Sequence, residues 1–347
     1  MEKKTKIIFT LQSLLGGGAE RVIVNIIRLL DKNRYDVTLL LCEKGGPYLE
    51  LIPDHVKVLS LNVKRTRYSL IPLIIEIRRL KPDIIFSTTV RMNIFVLLAS
   101  YFLPKSIRIF VREPNMPQVK LDNGAMSEKT VFLIRKLYKR AFRAVAQTNE
   151  MKDEMINVYG LNPDKIVTLI NPVDSESMDA KLNGVESPYE AGYINFVYVG
   201  RIEYQKGYDI VINAMKKVKD NVRLYMIGEG SRMPDAKERI VDAGLSDKIK
   251  LMGFQNNPFV YIKYADALIL PSRWEGLPNV VLEAVYMGTP VIMTKVNSFC
   301  EKLLSDKKIG KVVENEELSS TMMSFDMKHY EGFIATDASA IDRLFGS

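Results

Sequence analysis

Two glutamates stand eight residues apart in SRWEGLPNVVLEAVYMG: Glu275 lies in a loop-forming stretch and Glu283 near the second turn of the helix that follows. Carboxylates accept hydrogen bonds from vicinal hydroxyls in pairs, so one can hold a sugar and the other a ribose. Pro278 suits the first turn of that helix, and the amides from Leu277 to Val280 at its start can face a phosphate. A second stretch, VGRIEYQKG, sets Arg201 and Lys206 five apart, each next to a glycine, where an apolar run gives way to a helical one. Arg can grip a diphosphate with forked hydrogen bonds, while Lys neutralises it as a point charge. A third, QSLLGGGAERV, puts glycines ahead of a helix, where backbone amides can approach an anion closely. Each feature has a plainer reading: an E-x7-E pair by chance, two solvated surface cations, a glycine turn without a ligand. Together they fit a nucleotide-sugar.

These residues need a scaffold that gathers loops. KIIFTL, VTLLLC, VKVLSL, DIIFST, RIFVRE and RAVAQT are short, rich in branched residues and separated by helix-length segments with charged faces, which predicts buried parallel strands with crossover helices. INFVYVG, VRLYMIG, IKLMGF, ALILPS and PVIMT repeat the plan, so two doubly wound α/β units stand in tandem. The polar segment Asn171 to Gly192 breaks the strand rhythm and is expected to be the linker, giving domains 1–175 and 176–347, with the terminal AIDRLFGS as a helix that can return to the first domain. In open sheets of this kind ligands sit beyond the carboxyl ends of the strands, where all three stretches fall.

A chain of 347 residues with 47% apolar and 26% charged residues is expected to be folded nearly throughout. Cys42 and Cys300 suit neither a disulfide framework nor a zinc site, and the apolar run Met92 to Pro104 is too short to span a bilayer. The opening MEKKTKIIFTL lacks a signal-peptide core, and the expected location is cytoplasmic, including the inner face of the cell membrane. The net charge of +8 is unevenly placed: residues 1–175 hold 28 Lys and Arg against 17 Asp and Glu, or +11, and the remainder 21 against 24, or −3. In RKLYKRAFR, Arg135, Lys136, Lys139, Arg140 and Arg143 recur at helical spacing beside Leu137, Tyr138 and Phe142. This reads as an ordinary amphipathic helix, as a face drawn to an anionic membrane, or, least, as a nucleic-acid contact.

Taken together, GGGAERV, GRIEYQKG, GEGS at Gly228–Ser231 and PSRWEGLPNVVLEAVYMGTPVI resemble retaining glycosyltransferase family 4, the glycosyl transferases group 1, from about Lys6 to about Val313. The resemblance implies the GT-B fold, two Rossmann-like domains facing a central cleft, and transfer of a sugar, UDP-linked by expectation, to a glycan or lipid-linked acceptor in bacterial surface polysaccharide or glycolipid synthesis. It implies Arg201, Lys206 and Glu275 as the catalytic set. Donor binding would fall to these three with Gly200, Gly276, Leu277, Pro278, Asn279, Val280 and Glu283, to Phe254 near the base, and to Gly17 and Gly18 across the cleft. No cofactor and no metal are implied, and no D-x-D pair occurs. Partners implied are the nucleotide-sugar, the acceptor and an anionic membrane met by the basic first domain, with no nucleic acid. Many members carry a histidine after a middle strand of the first domain; here that strand end reads FVREPNMP, so Arg112, Glu113 or Asn115 would face the acceptor. After PVIMT, Glu301 would keep an acidic contact that the family makes. A nucleotide-sugar epimerase of the same fold and a non-catalytic lipid- or nucleic-acid-binding protein are the rival readings.

Overall fold

Among the described residues, thirteen short strands, most of them buried on both faces, form two parallel sheets, the arrangement that near-continuous branched runs favour. The computed structural model describes residues 3–324, 326, 328–333 and 338–346. One compact unit runs up to Pro172 and takes in the C-terminal helix; the other begins at Val173. In the first, β1 (Thr5–Leu11), β2 (Tyr35–Leu41), β3 (Lys57–Ser60), β4 (Ile84–Thr88), β5 (Arg108–Arg112), β6 (Arg143–Ala146) and β7 (Ile166–Thr168) lie in the order β3-β2-β1-β4-β5-β6-β7. In the second, β8 (Ile194–Val199), β9 (Val222–Ile227), β10 (Ile249–Gly253), β11 (Ala267–Leu270), β12 (Val291–Thr294) and β13 (Gly310–Val313) lie in the order β10-β9-β8-β11-β12-β13. Both are doubly wound, and the order reverses beside β1 in one and β8 in the other.

The period of two along each strand builds two cores in the first unit. Ile8, Leu40, Ile85 and Val111 face the helices Leu70–Leu80, Val90–Ala99 and Glu128–Leu137, while Ile7, Phe9, Phe86 and Phe110 face the helix Gly18–Leu29 and the C-terminal helix Ala338–Gly346. Phe345 puts its ring 5.5–6.2 Å from those of Phe9, Phe86 and Phe110, mostly edge-on, the arrangement aromatic quadrupoles prefer. Arg34 pairs with Asp342 at 2.8 Å, and Arg108 donates to the Phe345 carbonyl at 2.9 Å, where the helix end leaves acceptors unmet. Ser347, the last residue of AIDRLFGS, lies outside the described residues.

Several expectations need correction. The division falls after Pro172, not after residue 175, and the expected linker contains the helix Ser175–Leu182, capped where Asp174 accepts from the Ser177 amide at 3.1 Å and anchored by buried Met178. Strands β7 and β13 were not expected. They are three and four residues long and close the ends of their sheets, where one-sided cover removes the continuous apolar run. The cations from Arg135 to Arg143 do not share one helix, because Glu128–Leu137 ends in the turn Tyr138–Arg140 and Arg143 opens β6. Arg135 donates to the Val158 carbonyl at 2.9 Å, Arg140 to Ser100, and Arg143 to the Asp164 carbonyl, so three of the five brace the unit's own backbone.

Candidate active site

Because β8 and β11 are neighbours, paired at Phe196–Ala267 and Val197–Leu268, the loops after them leave the sheet side by side at its switch point. The loop after β8 carries Arg201 and turns through Tyr204–Lys206 to Gly207, whose φ is +65°. A Cβ there would sit 1.8 Å from the Pro271 carbonyl oxygen, so only glycine lets this turn pack against the loop after β11. That approach brings the Lys206 ammonium onto Glu275 Oε1 as a direct ion pair, and the Ser272 hydroxyl donates to the same oxygen at 2.8 Å. Lys206 is 17% exposed and Glu275 6%. Arg201, by contrast, is exposed, its guanidinium held among the described residues by a long 3.4 Å contact to Gln205 Oε1. One cation is thus pre-positioned and the other can reach for a ligand.

Three further residues brace these loops, Arg273 by joining the two and Thr294 and Asn297 by holding the loop after β11 from the β12 side, and none was singled out from the sequence. Arg273 forks onto Asp209 at 2.8 and 2.7 Å, donates to the Tyr204 carbonyl at 2.7 Å and stacks over the Tyr204 ring at 3.7 Å. Burial alone would raise the Asp209 carboxyl; the Arg273 fork and charge outweigh it and hold the group below its ordinary range. Thr294 donates to the Ser272 carbonyl at 2.7 Å. Buried Asn297 donates to the Gly276 carbonyl at 2.7 Å while its Oδ1 accepts the Cys300 amide, capping the helix Ser298–Asp306. An Asn just before a helical pattern is a readable cap signal, though not a readable reach into a neighbouring loop. Glu301, expected to touch the site from this segment, is exposed.

In the helix Asn279–Met287, Pro278 is the extended N-cap and not, as expected, part of the first turn. Pro278 has no N–H, so the donors of this start are those of Leu277, Asn279 and Val280. Glu283 sits in the second turn, 9% exposed. The loops after β9 and β10 line the same edge. Gly228 would clash through a Cβ with the Gly200 carbonyl oxygen at 2.1 Å, and its amide donates to the Gly253 carbonyl at 2.8 Å. Ser231 donates its amide (2.7 Å) and hydroxyl (2.9 Å) to Glu203, and these bonds, the amide first, hold the Glu203 carboxyl below its ordinary range. Phe254, just past β10, is 45% exposed.

The candidates in the first unit are placed differently from expectation. The amides of Gly16 and Gly17 donate to the Glu20 carboxylate at 2.8 and 3.1 Å, so the chain's own anion occupies these donors; Gly18 opens the following helix. Arg112 and Glu113 do not face outward. Glu113 is fully buried, accepting from the Tyr138 hydroxyl and from Lys120 at 3.2 Å. Arg112 is 1% exposed, donating to Asn171 Oδ1 at 2.6 Å, with its Nε unmet among the described residues, and burial pulls its pKa down to about 10. Asn115 alone of the three is half-buried. A charged pair at a strand end looks alike in sequence whether it points into solvent or into a polar core.

Residues 16–177 match the family model for Glycosyltransferase Family 4, and residues 186–324 that for Glycosyl transferases group 1. A curated relative from Campylobacter jejuni, N-acetylgalactosamine-N,N'-diacetylbacillosaminyl-diphospho-undecaprenol 4-alpha-N-acetylgalactosaminyltransferase, is 26% identical over 96% of this chain and 94% of its own. An Escherichia coli UDP-Gal:alpha-D-GlcNAc-diphosphoundecaprenol alpha-1,3-galactosyltransferase is 26% identical over 85% and 80%. Among solved structures, HepE of Anabaena in complex with UDP superposes with a TM-score of 0.77 at 19% identity over 99% and 98% of the two chains. WaaG, a glycosyltransferase involved in lipopolysaccharide biosynthesis, superposes at 0.71 and 15% over 98% and 95%. The fold is therefore GT-B.

Proposed function

Since its two halves match the two family models, the chain belongs to the family 4 and group 1 glycosyltransferases, and from that premise we propose that it moves a sugar from a UDP-sugar to a lipid-linked acceptor with retention of the anomeric configuration. The observation that carries the donor half is the convergence of Arg201 and the Lys206–Glu275 pair at the switch point of the second sheet. UDP is the nucleotide chosen because HepE superposes in its UDP complex, and the acceptor class because two relatives are named for diphospho-undecaprenol-linked substrates.

Arg201 forks onto the diphosphate, and the Lys206 ammonium bridges a phosphate oxygen and Glu275. The positive end of the Asn279–Met287 helix adds its N–H groups. Glu275 takes hydroxyls of the donor sugar, Glu283 those of the ribose, and Gly200 lets the backbone approach the phosphates; Phe254 and the backbone beside it meet the base. As the bond from the anomeric carbon to the phosphate oxygen breaks, positive charge develops on the sugar ring and negative charge on the departing phosphate, where the two cations stabilise it. The acceptor oxygen then bonds to the anomeric carbon on the face the phosphate leaves, and its proton passes to the phosphate oxygen. No side chain is needed as a nucleophile, and the cations do the charge work that a divalent ion performs elsewhere.

The test is transfer from radiolabelled UDP-sugars to a polyprenyl-diphosphate-linked sugar in excess EDTA, with the product anomer read by NMR. Arg201→Ala and Lys206→Ala should each lower turnover by ~10²-fold with the fold intact. A strict Mg²⁺ or Mn²⁺ requirement, an inverted product or normal turnover in both variants would contradict the reading.

A further inference from the structure

We propose that the outer face of the helix Leu70–Leu80, with the turn before it, docks the first domain on an anionic lipid bilayer; this rests on the lipid-linked acceptor reading above. Ile71 and Ile75 are four apart and share one face of the helix, with Tyr68 in the turn just before it, and the three are 68%, 58% and 59% exposed. The opposite face is already spent, with Leu73 and Ile77 fully buried in the core. The helix is apolar on two sides while the unit covers only one, and an uncovered stripe of large apolar residues in so short a stretch marks an interaction surface.

Charge identifies the occupant. Exposed Lys64, Arg65 and Arg67 precede the stripe, with the Arg67 guanidinium 4.8 Å from the Tyr68 ring centroid; of the two arginines that follow it, Arg78 is taken up by the Phe102 carbonyl at 3.1 and 2.7 Å. The single acid of the helix, Glu76, is committed to Arg79 at 2.6 Å. An apolar stripe fringed by cations and lacking an uncommitted carboxylate matches a surface of anionic headgroups over acyl chains, whereas a second copy of this face would meet it with like charge. Position agrees. The stripe begins just beyond the carboxyl end of β3, and Thr66 donates to Gln12 in the loop after β1 at 3.2 Å. That loop also carries Leu15, 71% exposed, immediately before the Gly16–Gly18 turn. The apolar face thus starts at the edge of the first sheet where ligands are taken in doubly wound folds, so a lipid-linked acceptor could reach that edge without leaving the bilayer. The Arg135–Arg143 stretch is the weaker candidate, since three of its cations already hold backbone carbonyls.

The experiment is co-sedimentation of the full chain with vesicles of phosphatidylglycerol and phosphatidylcholine, or of phosphatidylcholine alone. The parent should bind the anionic vesicles, less so as salt rises. The double variant Ile71→Gln, Ile75→Gln should lose roughly tenfold in binding, while Lys136→Glu with Lys139→Glu stays within about twofold of the parent. Because Cys42 and Cys300 are both buried, an Ile75→Cys variant can carry an environment-sensitive fluorophore, whose emission should shift to the blue with anionic vesicles. Undiminished sedimentation of the glutamine variant, no shift of the fluorophore, or a dimer of the parent that the variant dissolves without change in vesicle binding would each overturn the proposal. Stabilisation by UDP should be the same in parent and glutamine variant; a parent that ignores UDP would instead overturn the donor reading and leave the vesicle result standing.

Discussion

At the scale of single residues the candidate site depends on groups that brace its loops. Arg273 joins the turn that carries Lys206 to the loop that carries Glu275, through Asp209, the Tyr204 carbonyl and the Tyr204 ring. Arg273→Met should therefore lower turnover by about tenfold while leaving the Lys206 and Glu275 side chains in place, and Arg273→Lys should restore only part of it, since an ammonium cannot fork. In a double-mutant cycle with Asp209→Asn, unfolding should report a coupling of about 1 kcal/mol. Additive effects of the two changes, with full rescue by lysine, would mean that the pair is only surface decoration. Arg201, Lys206, Glu275 and Glu283 could be singled out in the sequence because short motifs carry them, and the structure brings Lys206 onto Glu275. Arg273, Thr294 and Asn297 were not, because each works by reaching a loop distant in sequence.

At the scale of elements, the loops after β8 and β9 are clipped by Glu203 and Ser231, and the clip is pH-dependent with a definite sign. The Glu203 carboxyl is held below its usual value of 4.5 by the Ser231 amide, then its hydroxyl, so its contribution is present above that value and is lost as pH falls through the lowered folded value. Glu203→Gln should melt below the parent at pH 7, and the gap should close in strong acid. A gap that persists at about pH 2 would assign the effect to packing instead of charge. Eleven of the thirteen strands could be read from apolar runs bounded by turn formers. The two that could not, β7 and β13, lie at sheet ends, where shorter strands with one open side lose the signal. The helix Ser175–Leu182 was hidden for a related reason, because one buried residue, Met178, is too little apolar pattern to stand out from a polar segment.

At the scale of the whole molecule, the chain ends where it began, with the helix Ala338–Gly346 covering the first sheet. Phe345→Ala should cost the first unit ~3–5 kcal/mol in urea unfolding, the range for an emptied aromatic site, and a loss under ~1 kcal/mol would mean that the helix adds little cover. The uneven charge was legible from composition, +11 in residues 1–175 against −3 beyond, but its use was not. Only the folded chain shows that Arg135, Arg140 and Arg143 bind backbone carbonyls while Lys64, Arg65 and Arg67 fringe an apolar face. The second domain in turn stands or falls as a donor site, which calorimetric titration of UDP in EDTA tests directly on the parent, Arg201→Ala and Lys206→Ala. The account predicts that the parent binds UDP without metal and that each variant weakens it by roughly tenfold or more, as expected when a charge-assisted contact to phosphate is lost. Equal affinity in all three proteins, or no UDP binding by the parent, would contradict it.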